Sequence, residues 1–299
     1  AEYYMDVDIN VETFEYDGFQ EIIYTNNSPD TITKIYYHLF FNAFRPGSQM
    51  DIRSLNIADP DRRVQDRISL LKEGEFGNIK VVSLSQDGDA LEFAEQETVL
   101  LARLKNPLLP GKKTKLQLSF KGKVPKQIRR SGRNNADGVA LSMTQWYPKL
   151  AEYDFEGWHP NPYVGREFHG VWSDYTVSLS IDKSYVVGGT GYLQNPQEIG
   201  HGYENTEKPL KRPDSKKLTW LFYAPNVHDF AWAADPDFIH DIVEGPNNVE
   251  LHFLYKTHLE NWKKIQQHSV DLMIFFNNKI GPYPWKQYSI IQGGDGGME

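Results

Sequence analysis

The chain contains no cysteine. That excludes disulfides, thiolate nucleophiles and cysteine-ligated zinc, while leaving the compartment open, because absence suits reducing and oxidising surroundings alike. Long apolar runs are lacking too: the run at residues 272–276 falls far short of the roughly 20 residues that span a bilayer. There is no excess of basic charge. With 32 Lys and Arg against 40 Asp and Glu the net charge is -8, so the field of the whole molecule repels phosphate backbones and anionic lipid. Nucleic acid is therefore not expected as a partner, nor is a transmembrane segment. The densest basic run, KGKVPKQIRRSGR at 121–133, holds Gly122, Pro125 and Gly132 and reads as a solvated loop. The opening AEYYMDVDIN goes straight into strand-like sequence, so a signal peptide is expected to be absent or already removed.

What is present is enough for a sizeable core. Of 299 residues, 39% are apolar and 13% aromatic, which suits two domains or one large domain with a fragment of another. Val7, Ile9 and Val11 alternate with Asp6, Asp8 and Asn10, the two-residue period of a half-buried strand. The same alternation recurs at Leu116, Leu118 and Phe120, at Tyr175, Val177, Leu179 and Ile181, and at Leu218, Trp220 and Phe222. Turn residues separate these runs: Asn26-Asn27-Ser28-Pro29, Asp87-Gly88, Pro110-Gly111 and Gly188-Gly189. Together they predict an antiparallel sandwich or curved sheet.

After Pro236-Asp237 the pattern changes. One more alternating strand, Val249, Leu251, Phe253 and Tyr255, precedes a helical period over 261–280 that Gly281-Pro282 terminates. A last strand at 288–291 leads into a glycine cluster, QGGDGGME at 292–299. The expected division is a β domain over 1–240 followed by the opening strand, helix and strand of a second domain over 241–299.

Motifs for self-contained chemistry are missing. The nine histidines include no H-E-x-x-H and no two that lie four apart, so a helix-borne zinc site cannot be assembled from them. There is no G-x-S-x-G and no G-x-x-x-x-G-K, and Gly188-Gly189-Thr190-Gly191 reads as a hairpin turn, not a dinucleotide loop.

The closing segment differs because its surroundings fit a specific task. A helix ending in GPYPWKQYS, the strand YSIIQ and then GGDGGME resemble the start of the catalytic domain in the aminopeptidase N-like family of gluzincin zinc peptidases. Upstream, MDVDINVETFEYDGFQEIIYTNNSPDTITKIYYHLFFNAF looks like that family's opening strands, Thr144-Gln145 like its "TQ" segment, and FAWAADPDF like the strand that closes its N-terminal saddle. The resemblance implies a mainly β fold: a saddle-shaped antiparallel β-sandwich N-terminal domain, followed by the α+β start of a truncated thermolysin-like catalytic domain.

It also implies roles. Gly296, Gly297 and Met298 match a ledge along which an extended peptide substrate lies, where larger side chains would block the approach. Glu299 matches the carboxylate that receives the substrate's free α-amine, and Gln145 matches a glutamine of the same pocket. Tyr147 stands where many relatives carry a second amine-binding glutamate. The zinc ligands and general base of the family lie downstream of such a ledge, so the intact protein would be a zinc metallo-aminopeptidase. The chain itself, with no metal site and no catalytic residue, is expected to be inactive. Export to the periplasm or beyond is the expected location, with the cytoplasm as the alternative. Uncovered apolar surface around Leu272, Met273 and Phe276 would favour self-association. Two other readings stay open at this point: a non-catalytic homologue serving as an interaction or scaffold module, and carbohydrate binding through Trp146, Trp158 and Trp172.

Overall fold

A computed structural model of the chain describes residues 1–57, 63–165, 170–256 and 258–295. Its largest unit is an eight-stranded sheet. At the centre Glu2–Asn10 pairs antiparallel with Glu15–Thr25 on one side and parallel with Ser173–Asp182 on the other. Lys217–Val227 continues beyond Ser173–Asp182, and Lys113–Lys123 and Asn78–Gln86 continue beyond Glu15–Thr25. The sheet is otherwise antiparallel, as expected, and this one parallel pairing is the exception within it. Alternation tells which face of a strand is buried but not which neighbour it takes, and here the first strand is inserted beside one that arrives much later in the chain.

The alternating residues behave as their period requires. Leu116, Leu118, Phe120, Tyr175, Val177, Leu179, Ile181, Leu218, Trp220 and Phe222 are all buried. On the outer face, cross-strand ion pairs join Lys121 to Asp17, Lys123 to Glu15 and Lys115 to Glu21; such exposed pairs contribute little each but keep that face wetted. Two four-stranded sheets, one containing Ile32–His38 and Val99–Leu108 and the other Val186–Gly189, Trp232–Asp235 and Leu141–Met143, contribute their inner side chains to the same apolar cluster.

From Ile239 onward the chain forms a separate three-stranded sheet, Ile239–Glu244, Glu250–Tyr255 and Gln287–Ile291. The last two strands run parallel, joined by the helix Leu259–Lys279. Val249, Leu251, Phe253, Tyr255 and Met273 make a second apolar cluster under that helix, and Tyr255 stacks on Trp262 with ring centroids 5.1 Å apart and planes 4° from parallel. Met273 is thus buried, unlike the exposed residue the sequence suggested, while Leu272 and Phe276 are 54% and 45% exposed.

The small sheet is seated on the β domain through a glycine. Gly188 lies in the strand Val186–Gly189 and not in a turn, and a Cβ there would come within 2.8 Å of both Leu254 and Ile291. The glycine pair read as a hairpin turn is the contact that lets two sheets approach. The true turn follows at Thr190 and Gly191, where Gly191 has φ +85°.

Candidate functional site

Past Ile291 the chain keeps its alignment with the small sheet for one more residue. The Gln292 amide donates to the Leu254 carbonyl at 2.8 Å, and the Lys256 amide donates to Gln292 Oε1 at 2.9 Å. It then crosses to the β domain. Gly294 N–H donates to Ser142 Oγ at 3.0 Å, and Asn135 Nδ2 donates to the Gly294 carbonyl at 2.8 Å. Gly293 sits close at this crossing: a Cβ would lie 3.0 Å from Ser142 Oγ and would press on that hydroxyl. Lys256 fastens the same corner from beneath. Its Nζ reaches Asp235 at 3.0 Å, Asp237 at 3.4 Å and the Gly138 carbonyl at 2.9 Å. Burial acts to lower the Lys256 pKa, but the two carboxylates more than offset it and the net shift is upward.

Ser142 belongs to the strand Leu141–Met143, which pairs with Trp232–Asp235 and Gly132–Arg133. Three residues after Ser142 comes Gln145, and its surroundings are unusual. Its neighbours are held by hydrogen bonds. Thr144 is held through its carbonyl by Ser131 Oγ at 2.7 Å, and Trp146 Nε1 donates to the Phe230 carbonyl at 3.0 Å. Gln145 itself sits in the left-handed region at φ 59° and is 1% exposed. Neither its Oε1 nor its Nε2 has a hydrogen-bond partner among the described residues. A buried amide with no partner forfeits about 1–3 kcal/mol, and a non-glycine residue at positive φ adds further strain. The Gln145 amide thus keeps both an acceptor and a donor unspent.

Tyr147 does not share this environment. It is wholly buried, and its hydroxyl donates to Asp229 Oδ1 at 2.6 Å beside Tyr175 Oη at 3.2 Å. Burial and the nearby Asp229 carboxylate raise its pKa well above the ordinary tyrosine value. Lys149 Nζ completes the network, 3.2 Å from the same Asp229 oxygen. The tyrosine standing at the position of a second amine-binding glutamate is therefore a core residue, and the amide of Gln145 is the free group of the pair. Gly296, Gly297, Met298 and Glu299 lie outside the described residues.

The basic run at 121–133 is largely buried, which corrects its reading as a solvated loop. Val124, Gln127, Ile128, Arg129 and Ser131 are all buried. Polar residues are tolerated there because the tight backbone needs partners: Gln127 N–H and Arg133 N–H donate to the Arg133 and Pro125 carbonyls at 3.0 and 2.8 Å. The tryptophans are also redistributed. Trp146 is buried and cannot face a sugar, whereas Trp172 is 55% exposed and stacks on Trp285 at 6.1 Å with planes 7° apart. Asn135, Ser142 and Asp295 were not singled out by the sequence, and no spacing in it would have marked them.

Among the described residues no group of three or more His, Asp or Glu is arranged to hold a metal ion, and no helix is long and apolar enough to cross a membrane. No family model matches the chain, and no curated protein matches its sequence. Solved structures do match its fold. An M1 zinc metallopeptidase from Deinococcus radiodurans superposes with a TM-score of 0.56 at 13% identity, over 97% of this chain and 55% of that one. A variant M1 zinc metallopeptidase of two domains, bound to L-tryptophan, gives 0.57 at 13% over the same shares, and a variant from Deinococcus radiodurans bound to a Tyr-Ser-Ala substrate gives 0.55 at 11%. The chain spans about half the length of these structures, and its mainly β architecture is that of the N-terminal domain of M1 zinc metallopeptidases.

Proposed function

We propose that these 299 residues are the peptide-gripping portion of a zinc metallopeptidase of aminopeptidase type. The observation that carries this reading is the buried, partnerless amide of Gln145, which follows in sequence the strand whose Ser142 hydroxyl holds the Gly294 amide. An extended peptide would lie along Gly296, Gly297 and Met298. Its α-ammonium would donate to the Glu299 carboxylate and to Gln145 Oε1, while Gln145 Nε2 would donate to a substrate carbonyl. One structural neighbour was captured with Tyr-Ser-Ala and others with L-tryptophan and L-arginine, all carrying a free α-amine.

Zinc would supply an activated water in the intact enzyme. Among the described residues no group fits that ion, and no hydrolytic step is assigned to them. Residues 1–240 form the β domain of this reading and 241–299 the opening of the catalytic one.

The test uses the longest natural protein that carries the sequence. It should hydrolyse aminoacyl-naphthylamides in a zinc-dependent manner and spare their N-acetylated forms, whereas the 299-residue chain should show no turnover. Equal cleavage of blocked and free substrates by the natural protein would remove the aminopeptidase reading.

The helix Leu259–Lys279 exposes Leu272, Phe275 and Phe276, and Ile280 follows just past its end. A contiguous apolar face of this kind promotes association. Light scattering of the isolated chain should show mass rising with concentration, and Leu272→Glu combined with Phe276→Glu should abolish the rise. A wild-type chain that stays monomeric at every concentration would refute this.

A further inference from the structure

We propose that the outer face of the eight-stranded sheet carries a binding site for an uncharged oligosaccharide, centred on Phe19 and Asp6. The site does not rest on the peptidase reading. The face is hollowed where small side chains flank a ring: Phe19 stands between Asp6 and Ser119 in one row across the strands, and Ser178 follows on the far side of Asp6. A cleft of about 450 Å³ opens there, with Asp8, Asp17 and Val82 also in its lining. That volume falls within the range of about 300–1,000 Å³ usual for small-ligand sites.

One wall comes from an irregularity in a strand. Asn78–Gln86 changes register against Lys113–Lys123 between Val81 and Ser83, and Val82, the extra residue, is left 55% exposed. A bulge re-aims a side chain in this way, and here it turns an apolar group into the cleft. Two further rings extend the apolar floor. Tyr4 precedes Asp6 by two residues on the same face, and Tyr223 shares the row of Tyr4 through Thr176. Strand spacing places Tyr4 and Tyr223 roughly 9–10 Å apart, close to the advance of two sugar units in an extended β-1,4 chain. Tyr4, Phe19 and Tyr223 are each between 38% and 45% exposed. A pyranose is apolar on its faces and hydroxylated around its rim, so it can stack on such rings while its hydroxyls bond the polar walls.

The charges of the face select a neutral ligand. Lys121 pairs with Asp17 at 3.1 Å and Lys217 pairs with Asp8, while Lys115 and Lys123 are held by Glu21 and Glu15. None of these cations is spare for an anion. Of the three carboxylates in the cleft, only Asp6 has no ion pair among the described residues. It repels phosphate or sulfate esters and can accept bonds from two adjacent hydroxyls. A cationic ligand would also be drawn to Asp6, but Lys121 and Lys217 on either side oppose it. Ser119 and Ser178 add hydroxyls that suit a polyol.

The experiment titrates the 299-residue chain with β-1,4-linked probes, namely cellotetraose, xylotetraose, mannotetraose and N-acetylated chitotetraose, read by heat and by amide shifts. At least one should bind with a millimolar or lower dissociation constant and shift the amides of Asp6 and Phe19. Phe19→Ala and Asp6→Ala should each weaken it about tenfold, the equivalent of one ring contact or one charge-assisted bond. Their melting temperatures should match the wild type, because both side chains are exposed. Phe155→Ala, which removes a bare ring from a hairpin elsewhere, should change nothing.

Absence of heat and of shifts with every one of these sugars would overturn the proposal. Tetralysine binding at Asp6 and Phe19 more tightly than any sugar would overturn it too, and would make the face a dock for cationic peptide. So would a loss of sugar binding in Phe155→Ala as large as in Phe19→Ala, the mark of unspecific contact with any bare ring.

Discussion

Replacing Gln145 with methionine is expected to make the protein more stable and less able to hold a peptide. Most substitutions of a fully buried residue destabilise, so the sign is the informative part. Gln145 is 1% exposed and both ends of its amide lack partners among the described residues. Methionine has nearly the same length and volume and carries no group that needs solvating, so its burial removes a desolvation cost of about 1–3 kcal/mol. The backbone stays at φ 59° in either case, and the comparison therefore isolates the side chain. The urea midpoint of the 299-residue chain should rise. In the natural protein carrying the sequence, kcat/KM for a free-amine substrate should fall by about one to two powers of ten, corresponding to about 1.4–2.8 kcal/mol of lost transition-state stabilisation. A lower urea midpoint for Gln145→Met would mean that the amide has partners within the fold, and its assignment to substrate would be withdrawn.

How far the sequence could lead to this site depends on which physical rule each residue obeys. Strands with one wet face announce themselves, because burial must alternate. Tyr175, Val177, Leu179 and Ile181 were legible for that reason and are fully buried, and the helical period after Leu259 matches the helix that ends at Lys279. Partner choice was not legible. Nothing in Glu2–Asn10 indicates that it will lie parallel to Ser173–Asp182, since a strand's own pattern is the same whichever edge it joins. Close approach was misread for a related reason: Gly188-Gly189 has the composition of a turn, yet the demand on Gly188 comes from Leu254 and Ile291 in another sheet.

The candidate site divides along the same line. Gln145 and the glycine cluster could be picked out by resemblance, because they sit in recognisable short segments. Tyr147 could be flagged as a departure, but its turn into the core, onto Asp229, is a tertiary fact. The anchors of the glycine segment were invisible. Asn135, Ser142 and Arg67 are ordinary polar residues whose importance arises only when Gly294 and Asp295 are brought against them. Polar residues in a basic run are expected to be solvated because that is their usual fate. Here the tight backbone around Gly132, at φ +143° and within 2.4 Å of Gln127 if it bore a Cβ, draws them inside.

Acid should loosen the seam that places this site. His240 and His252 face each other across the two long strands of the small sheet, His240 Nε2 lying 2.9 Å from His252 Nδ1. His240 Nδ1–H donates to the His201 carbonyl at 3.2 Å, so with both rings neutral His240 Nε2 is the acceptor and His252 Nδ1 the donor. The remaining lone pair, on His252 Nε2, lies 3.4 Å from Glu250. Tyr203 of the β domain covers both rings, 4.0 and 5.6 Å away between centroids, and donates its hydroxyl proton to the Val187 carbonyl at 3.0 Å. The pair is therefore a joint between the small sheet and the β domain that holds together while both rings are neutral.

Burial lowers both imidazoles from 6.5 to about 4; for His240 the neighbouring His252 adds to this, while Asp241 and Glu204 oppose it. Because the folded pKa lies below the unfolded one, the unfolded chain binds more protons between these values. Stability is fully present above pH 6.5 and is lost as pH falls through about 4. For one ring this corresponds to about 3 kcal/mol, and two rings sharing one bond contribute less than twice that. Urea midpoints measured between pH 7 and pH 4 should fall steeply for the wild-type chain. They should fall less for His252→Asn, which keeps a donor for His240 without a group that titrates. Parallel curves for the two proteins would show that the acid sensitivity resides elsewhere. A distinct fall would instead tie it to the joint on which Leu254 and Ile291 rest against Gly188, and so to the strand that delivers the glycine segment to the β domain.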